Sequence, residues 1–257
     1  MELKAEEIKN NWDMFMKYIN NYISSPRKEK LIEFYERHEE RIMLMPASSK
    51  VHHHSCFPGG HIFHTLKVCE FALKIHEMWE MSGVDETYTL EELMFSALNH
   101  DLGKIGTETE PNYIPNTDKW RKEKLGEIYK HNDQFTFMTV PDRGIFLLQE
   151  NNIPITMNEY IAIRAHDGLY DEANKYYFIG YMPETRPRSS ILHILHTADM
   201  LAARWEFEQT WLKDFNKKSN LVSEKGGPIL TNTTNGSSKP SLGNKKSQGL
   251  KNLLDTI

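Results

Sequence analysis

Histidines are concentrated in one short segment, VHHHSCFPGGHIFHT, which spans residues 51–65. Imidazole nitrogens bind divalent transition metals and exchange protons near neutral pH, so the segment is a candidate metal site or phosphate contact, and otherwise a solvated loop. The Pro-Gly-Gly turn at 58–60 separates its first three histidines from the two that follow. Five of the chain's 12 histidines lie here: His52, His53, His54, His61 and His64.

Further metal-binding residue types occur at long spacings along the chain. The segment LNHDLGK ends an apolar helix pattern, so its histidine and aspartate are expected to point into a pocket. Imidazole and carboxylate donors without thiolates suit Mn, Fe, Co, Ni, Zn or Mg. Buried carboxylates beside neutral imidazoles cost several kcal/mol unless partnered, and a metal satisfies them all. The predicted metal ligands are His64, His100, Asp101 and Asp199.

Two more histidines determine whether one or two ions are expected. His131 and His166 follow Asp101 at long spacings and could supply ligands to a second metal ion, with Asp101 bridging the two ions. Without them the site is mononuclear. Histidines on apolar helix faces elsewhere, such as His193, are interpreted as core residues, because a single hydrogen bond satisfies them.

The elements that must position these residues are mainly helices. Apolar residues in 6–23 recur every three or four positions, which predicts an amphipathic helix, and a second helix is expected to reach about residue 44. Another helix is expected after the Pro-Gly-Gly turn. Capping-box patterns at Thr89 and Thr156 predict helix starts. Shorter helices are expected at 119–131 and 142–150, and a last strong helix after Pro187.

Strand patterns are few, and the composition changes near the end of the chain. FTFMTV at 135–140 and KYYFIGYM at 175–182 predict a small β-hairpin at most, so the expected fold class is all-α, or mainly α. Residues 216–257 are rich in polar residues and glycine and predict a flexible tail. The helical domain is therefore expected over residues 1–215.

Composition favours an ordinary globular protein with a small-molecule substrate. The chain has 257 residues, 39% of them hydrophobic, and a formal charge of −5, so a long nucleic acid is not expected as a partner. Its two cysteines cannot form a disulfide framework. The first residues lack the apolar core of a signal peptide, and no run of about 18 apolar residues predicts a membrane span. We therefore expect a cytoplasmic protein.

Four segments of the chain resemble the HD-domain superfamily of metal-dependent phosphohydrolases, whose pattern is H…HD…D, with two more histidines in the dinuclear branch. The first segment is most similar to HD-type exoribonucleases and related nucleotide hydrolases. The resemblance implies a helical HD-domain bundle, the metal ligands named above, and contact between Lys104 and a substrate phosphate. The segments are PGGHIFHT (58–65), NHDLGKIG (99–106), AHDG (165–168) and HTADMLAAR (196–204).

The resemblance implies hydrolysis of a phosphoester bond by metal-activated water. The expected substrate is a mononucleotide, a cyclic or short oligonucleotide, or a nucleoside triphosphate. Asp101 and Lys104 are the expected catalytic residues. Positively charged or imidazole side chains near the ligands are candidates for substrate binding, although each arginine could equally pair with a carboxylate. These candidates are Lys104, His54, His61, Arg164 and Arg204.

Two other functions remain open at this point. Some HD-fold proteins use the same ligands for a di-iron centre that activates oxygen on a small polar substrate. A non-catalytic HD module that binds a nucleotide is the other alternative. Metal identity and oxygen-dependent turnover separate the oxygenase from the hydrolase, whereas a silent module releases no product with any metal.

Overall fold

Helices dominate the computed structural model, which describes residues 2–216. The compact unit to which these helices belong ends at Asp214, and the predicted tail lies outside the described residues from position 217 onward. The mainly α prediction is confirmed. The helices are α1 (Ala5–Tyr22), α2 (Arg27–Arg37), α3 (Glu39–Leu44), α4 (Gly60–Met81), α5 (Leu90–Asn99), α6 (Lys119–Leu125), α7 (Val140–Glu150), α8 (Met157–Ala165), α9 (Lys175–Phe178) and α10 (Ile191–Gln209). Short 3-10 turns occupy Leu102–Ile105, Gly168–Tyr170, Glu172–Asn174 and Pro183–Thr185.

The central helices are α4, α5, α8 and α10. Helix α4 packs against α10, α5 and α1, and α8 packs against α10, α5 and α7. The predicted stripe of α1 is buried and lies in the same core. Phe15 of α1 meets the ring of Tyr35 edge-on, with centroids 4.8 Å apart. The Tyr35 hydroxyl donates to Asn99 Oδ1 at 2.9 Å, which fixes α2 against the end of α5 that carries the His-Asp pair.

The hairpin forms at a different place from the one predicted. Strands β1 (Tyr113–Pro115) and β2 (Tyr129–His131) pair antiparallel, with Tyr113 opposite His131. The predicted strand at 135–140 was wrong, because Thr139 caps α7 by accepting from the backbone N–H of Asp142 and turns the chain into that helix. The predicted strand at 175–182 was also wrong, since α9 occupies its first half.

The helix predicted at 119–131 is shorter than expected. It ends at Leu125 because Gly126 adopts a left-handed conformation with φ +61°, and the chain then enters β2. The helices predicted from the capping boxes do begin after Thr89 and Thr156, and each threonine side chain accepts a backbone N–H three residues on. Local capping chemistry therefore gave the correct helix starts.

A partly buried arginine joins three of these helices. Arg27 of α2 donates to both oxygens of Glu159 in α8, at 2.7 and 2.8 Å, and to Glu91 in α5 at 2.6 Å. Its guanidinium lies 4.1 Å from the centroid of the Phe95 ring. The Glu159 side chain is fully buried. This network ties together the helices whose C-terminal ends carry the two His-Asp pairs.

No helix within residues 2–216 is long and apolar enough to span a lipid bilayer.

Candidate metal centre

His64 is positioned by the glycine turn that starts α4. Gly59 has φ +82°, and a Cβ at Gly60 would lie 2.0 Å from the carbonyl oxygen of Ser55, so the loop passes directly against the first turn of the helix. His64 follows one turn later and is buried. Its Nε2 lies 2.9 Å from Oδ1 of Asp199, which belongs to α10. The packing of α4 against α10 thus joins the first and last predicted ligands.

His100 and Asp101 lie just after the last residue of α5. The Nδ1 of His100 is 2.8 Å from the carbonyl oxygen of Ala97, which assigns the proton to Nδ1 and leaves the Nε2 lone pair free. Asp101 Oδ2 lies 3.4 Å from that Nε2 and accepts a hydrogen bond from Lys104 Nζ. Both residues are buried. The helix end therefore presents an imidazole nitrogen and a carboxylate to the same point.

The second His-Asp pair repeats this arrangement at the end of α8. The Nδ1 of His166 is 2.8 Å from the carbonyl oxygen of Ile163, so its Nε2 also faces the cluster. This Nε2 lies 3.7 Å from Asp101 Oδ1 and 3.7 Å from Asp167 Oδ1. His196 of α10 supports the turn, because its Nδ1 lies 2.7 Å from the carbonyl oxygen of His166.

Seven residues form one cluster of possible metal donors, named here the donor cluster. It consists of four groups of three residues, and within each group the donor atoms lie within 4.8 Å of one another. The groups are His54–His64–Asp101, His64–His100–Asp199, His100–Asp101–His166 and His166–Asp167–Asp199. The structure thus brings together five of the six predicted ligands and adds His54 and Asp167.

The charges of the donor cluster favour a cation. Burial alone would raise the pKa of Asp101, but Lys104 and His100 hold it well below its usual range. Burial would also raise the pKa of Asp199, but the hydrogen bond with His64 lowers it. Burial lowers the pKa of His166, but Asp101 and Asp167 outweigh it and raise the pKa to about 9. Asp101 and Asp199 are therefore ionised, and the negative charge that keeps a proton on His166 also attracts a metal ion, which would have to displace that proton to bind Nε2.

The donor set fits a divalent metal. His100 Nε2 is buried and has no hydrogen-bond partner within the described part of the chain, an arrangement that costs free energy unless a ligand satisfies it. Imidazoles and carboxylates are the donors that Mn, Fe, Co, Ni and Zn accept, whereas Mg prefers oxygen donors alone. The cluster could hold such an ion through His64, His100, Asp101, His166 and Asp199.

His54 lies in the donor cluster rather than on a solvated loop. Its ring centroid is 4.3 Å from that of His64. Burial lowers the pKa of His54 well below its ordinary value of 6.5, so the imidazole is neutral. The adjacent Ser55 donates through its backbone N–H to Glu206 Oε1 of α10 at 2.6 Å and through its hydroxyl to Oε2. Glu206 therefore holds the loop against α10.

Two of the predicted site histidines, His131 and His61, lie outside the donor cluster. His131 lies on β2, where its ring packs against Tyr113 with centroids 5.1 Å apart, and it belongs to none of the metal-donor groups found within residues 2–216. His61 was a candidate for substrate binding but is 2% exposed, because the first turn of α4 faces the core. Burial lowers the pKa of His61 to about 3.

The two predicted arginines have different environments. Arg164 pairs with Asp142 at 2.8 Å and with Asp171 at 3.6 Å, so its charge is already balanced by carboxylates. Arg204 is exposed, pairs with Glu208 on the next turn at 2.8 Å, and lines a cleft beside the donor cluster. Arg204 is thus the arginine accessible to a substrate.

Several clefts are lined by members of the donor cluster. One, of about 510 Å³, is lined by His54, Asp167, Tyr170, Asp199 and Arg204, among others. A second, of about 580 Å³, shares Asp167 and extends along Asn112, His131 and Phe135. These volumes are in the range of small-molecule sites. The donor cluster is thus accessible from the surface.

Asp167 is the member of the donor cluster for which the sequence pattern predicted no role. The pattern AHDG contains the signal, because a carboxylate directly after a ligand histidine repeats the His100-Asp101 arrangement. In both pairs the histidine directly follows a helix, and its Nδ1 lies 2.8 Å from the carbonyl oxygen three residues earlier. The second pair is more open, since the Asp167 side chain is 49% exposed and that of Asp101 is 7% exposed.

The substitution Gly168→Ala is expected to weaken both folding and metal binding. Gly168 has φ +61°, and an added Cβ would lie 2.2 Å from Cε1 of His196, the residue that supports His166. Losing such support for a ligand typically weakens metal binding about 10- to 100-fold. Urea unfolding and titration with Co²⁺ measure the two effects.

Gly83→Ala is the matched control for this experiment. Gly83 has φ +76°, but an added Cβ meets nothing within 4 Å. The control should show only the backbone cost of about 1 kcal/mol for a left-handed alanine, with unchanged metal affinity. Equal effects of the two substitutions would contradict the supporting role of His196.

Similarity to known proteins adds no constraint on this centre. Comparisons with protein-family models, with curated proteins and with solved structures found no match. The donor atoms, their burial and their spacing are the features that favour a metal centre.

Proposed function

We propose that the chain is an HD-type, metal-dependent phosphohydrolase that cleaves a phosphoester bond of a nucleotide. The observation that carries this proposal is the convergence of His64, His100, Asp101, His166 and Asp199 from four helices or their ends. These are the residues of the motifs that resemble the HD superfamily. Buried imidazoles and carboxylates with accessible clefts beside them support a metal-dependent reaction rather than a structural role.

The residues of the chain have distinct roles in this proposal. When bound, a divalent cation supplies Lewis acidity that activates water and offsets negative charge on the phosphoryl oxygens. The Ala97 and Ile163 carbonyls orient His100 and His166 through their Nδ1–H groups. Lys104, which is 11% exposed and paired with Asp101, places an ammonium group where negative charge develops in the transition state.

The geometry of the clefts favours a small substrate. The cleft of about 510 Å³ contains Arg204 for phosphate and the exposed ring of Tyr170 for a base. The overall charge of −5 does not attract a long polyanion. We therefore propose a mononucleotide, a nucleoside triphosphate, or a cyclic or short oligonucleotide as the substrate, and a small-molecule nucleotide as the partner.

A metal-by-substrate screen tests the proposed function. The protein is stripped with a chelator, reloaded with Mn²⁺, Fe²⁺, Co²⁺ or Zn²⁺, and incubated with mononucleotides, triphosphates, cyclic dinucleotides and short oligonucleotides. We expect release of phosphate or nucleotide with at least one metal, and loss of that activity in His100→Ala. His193→Ala is the control. His193 lies on α10, as Asp199 does, but its ring packs against Phe178 and it belongs to none of the donor groups found within residues 2–216.

Other outcomes of the screen would identify the alternatives. Two irons per chain with oxygen-dependent turnover would replace the hydrolase with an oxygenase. Nucleotide binding without product across every metal would indicate a non-catalytic module. Metal-dependent release that is equal in His100→Ala and the wild type would disprove the assignment of this centre.

A further inference from the structure

The cleft of about 580 Å³, named here the Asn112 cleft, extends from the donor cluster toward the hairpin and the start of α7. Asp167 of the donor cluster lines it, and so do Asn112, Phe137 and Arg143, among others. Its volume is in the range of pockets that enclose a small ligand. A ligand with one end at the donor cluster can therefore place its other end against these side chains.

Arg143 is held by the protein itself and orients Asn112. Its guanidinium donates to the carbonyl oxygens of Gly103 and Met138, each at 3.1 Å, and to Asn112 Oδ1 at 2.7 Å. It is 4% exposed, and the centroid of the Phe135 ring lies 4.8 Å from its central carbon. Arg143 is therefore a structural residue of the cleft rather than a phosphate ligand.

The side-chain amide of Asn112 is satisfied on one side only. A guanidinium can only donate, so the amide atom facing Arg143 is the oxygen, and Nδ2 points the other way. Nδ2 is buried and has no hydrogen-bond partner within residues 2–216, although Asn112 lines the cleft and is 3% exposed. An unpaired buried donor costs free energy until a ligand accepts its hydrogens.

Phe137 gives the same cleft an aromatic surface. The residue is 82% exposed, so its ring is open to a flat ligand. Stacking of a nucleobase on an aromatic side chain is favourable and tolerates every base, because each base has a π-face. Phe137 therefore favours a base in this cleft without selecting which one.

We propose that the Asn112 cleft binds the nucleobase of the substrate and that Asn112 Nδ2 donates to a carbonyl oxygen of that base. The inference rests on the proposed function for its nucleotide substrate. It moves the base from Tyr170, which lines the other cleft, to Asn112 and leaves the phosphate with Arg204 and the donor cluster.

The unpartnered donor predicts which purines are preferred. Guanine and hypoxanthine carry a carbonyl oxygen at C6 beside a ring N–H, whereas adenine carries an amine there. An amine facing Nδ2 would place two donors against each other. The exposed carboxylate of Asp133 also lines the cleft and can accept from a ring N–H. Nucleotides of 6-oxopurines should therefore bind about tenfold more tightly than those of adenine.

A matched pair of ligands tests this preference in the wild-type chain. Inosine and adenosine monophosphate differ only at this edge of the base. Their methylenephosphonate analogues, in which carbon replaces the ester oxygen, prevent hydrolysis from interfering with the measurement. Calorimetric titration of the full chain loaded with Mn²⁺ is expected to show tighter binding of the inosine analogue.

Two aspartate substitutions in the same cleft assign the preference to Asn112. Asn112→Asp keeps an oxygen for Arg143 and replaces the N–H donor with an acceptor, so the inosine preference should be lost. Asn132→Asp is the control for added charge. Its amide is already bonded on both sides, donating to the Pro111 carbonyl at 3.1 Å and accepting from the Gln134 backbone N–H at 3.1 Å. It should weaken both analogues alike, and circular dichroism verifies folding of each variant.

The outcomes separate this inference from the proposed function. Equal affinities in the wild type, or an unchanged preference in folded Asn112→Asp, would overturn the inference. A preference lost in Tyr170→Ala but kept in Asn112→Asp would return the base to Tyr170. Hydrolysis of both nucleotides with equal kcat/KM would overturn the inference and leave the hydrolase standing. Selective binding of the inosine analogue without hydrolysis of any nucleotide would support the cleft and overturn the hydrolase. A wild type that binds neither analogue would overturn the base site.

Discussion

Asp101→Ala is expected to remove bound metal and to reduce the turnover of the proposed phosphohydrolase reaction by about 10²- to 10³-fold, the scale for losing one electrostatic stabiliser of a transition state. Asp101 belongs to two of the four donor groups, and its Oδ2 accepts a hydrogen bond from the Lys104 ammonium group. Removing the carboxylate therefore disrupts two of the four donor groups directly. Elemental analysis and steady-state kinetics on the same preparation measure the two losses together.

Two further aspartate variants sharpen this experiment. Asp13→Ala removes an exposed carboxylate that, within residues 2–216, pairs only with Lys9 on the preceding turn of α1, so it should change neither metal content nor turnover. Asp101→Asn keeps the side-chain volume and a weaker oxygen donor, and we expect it to retain more metal than Asp101→Ala. Full metal content and activity in Asp101→Ala would show that the other His-Asp pair is the functional one.

Much of the helical architecture was predictable because its signals are local. The stripe of α1 repeats at helical spacing, and the threonine caps at 89 and 156 satisfy backbone N–H groups within their own first turns. Such interactions are encoded in a few consecutive residues. The position of each His-Asp pair just after a helix followed from the same local patterns.

The hairpin was not predictable in the same way. Its strands are three residues each, which is too short for an alternating pattern. The more strand-like segment at 135–140 lacks a partner strand in the described chain, and its Phe135 ring instead packs under the guanidinium of Arg143 at 4.8 Å. Strand propensity depends on a tertiary partner, so sequence alone placed the hairpin wrongly.

The composition of the donor cluster depends on contacts between residues far apart in sequence. The sequence suggested a phosphate contact for His54, but the bond between Ser55 and Glu206, 151 residues apart, brings the loop to α10. His131 was a predicted ligand, but the pairing of β2 with β1 places it on the hairpin instead of in the donor cluster. Neither contact has a local signature. The ligand residue types could therefore be predicted, but not the full membership of the cluster.

Arg27→Met is expected to lower the free energy of unfolding by about 3–5 kcal/mol, because it leaves the fully buried carboxylate of Glu159 without its charged partner. The guanidinium also bonds Glu91 and lies over the Phe95 ring, and methionine replaces only the apolar part of these contacts. Urea unfolding followed by circular dichroism at pH 7.5 measures the change.

A surface pair provides the matched control. Arg121 donates to Glu127 at 3.0 Å, but its side chain is 54% exposed, so Arg121→Met should cost no more than about 1 kcal/mol. The double substitution Arg27→Met with Glu159→Gln removes the stranded charge and should recover part of the loss. Equal costs for Arg27→Met and Arg121→Met would show that burial of the Arg27 network contributes nothing.

The pH dependence of the stability lost in Arg27→Met tests whether the ionised carboxylate of Glu159 causes that loss. Burial raises the pKa of Glu159 above its ordinary value of 4.5, although the Thr156 backbone N–H and Arg27 oppose the shift, and removing Arg27 raises it further. A carboxyl group whose pKa is higher in the folded state than in the unfolded state destabilises the fold at pH values above its folded-state pKa. At those pH values the group is ionised in both states, and burial disfavours the ionised form only in the folded state. As the pH falls toward 4.5, the folded protein takes up a proton at Glu159 and needs no cationic partner. The difference between wild type and Arg27→Met should therefore shrink between pH 7.5 and pH 5, whereas a difference independent of pH would assign the loss to packing against Phe95 instead.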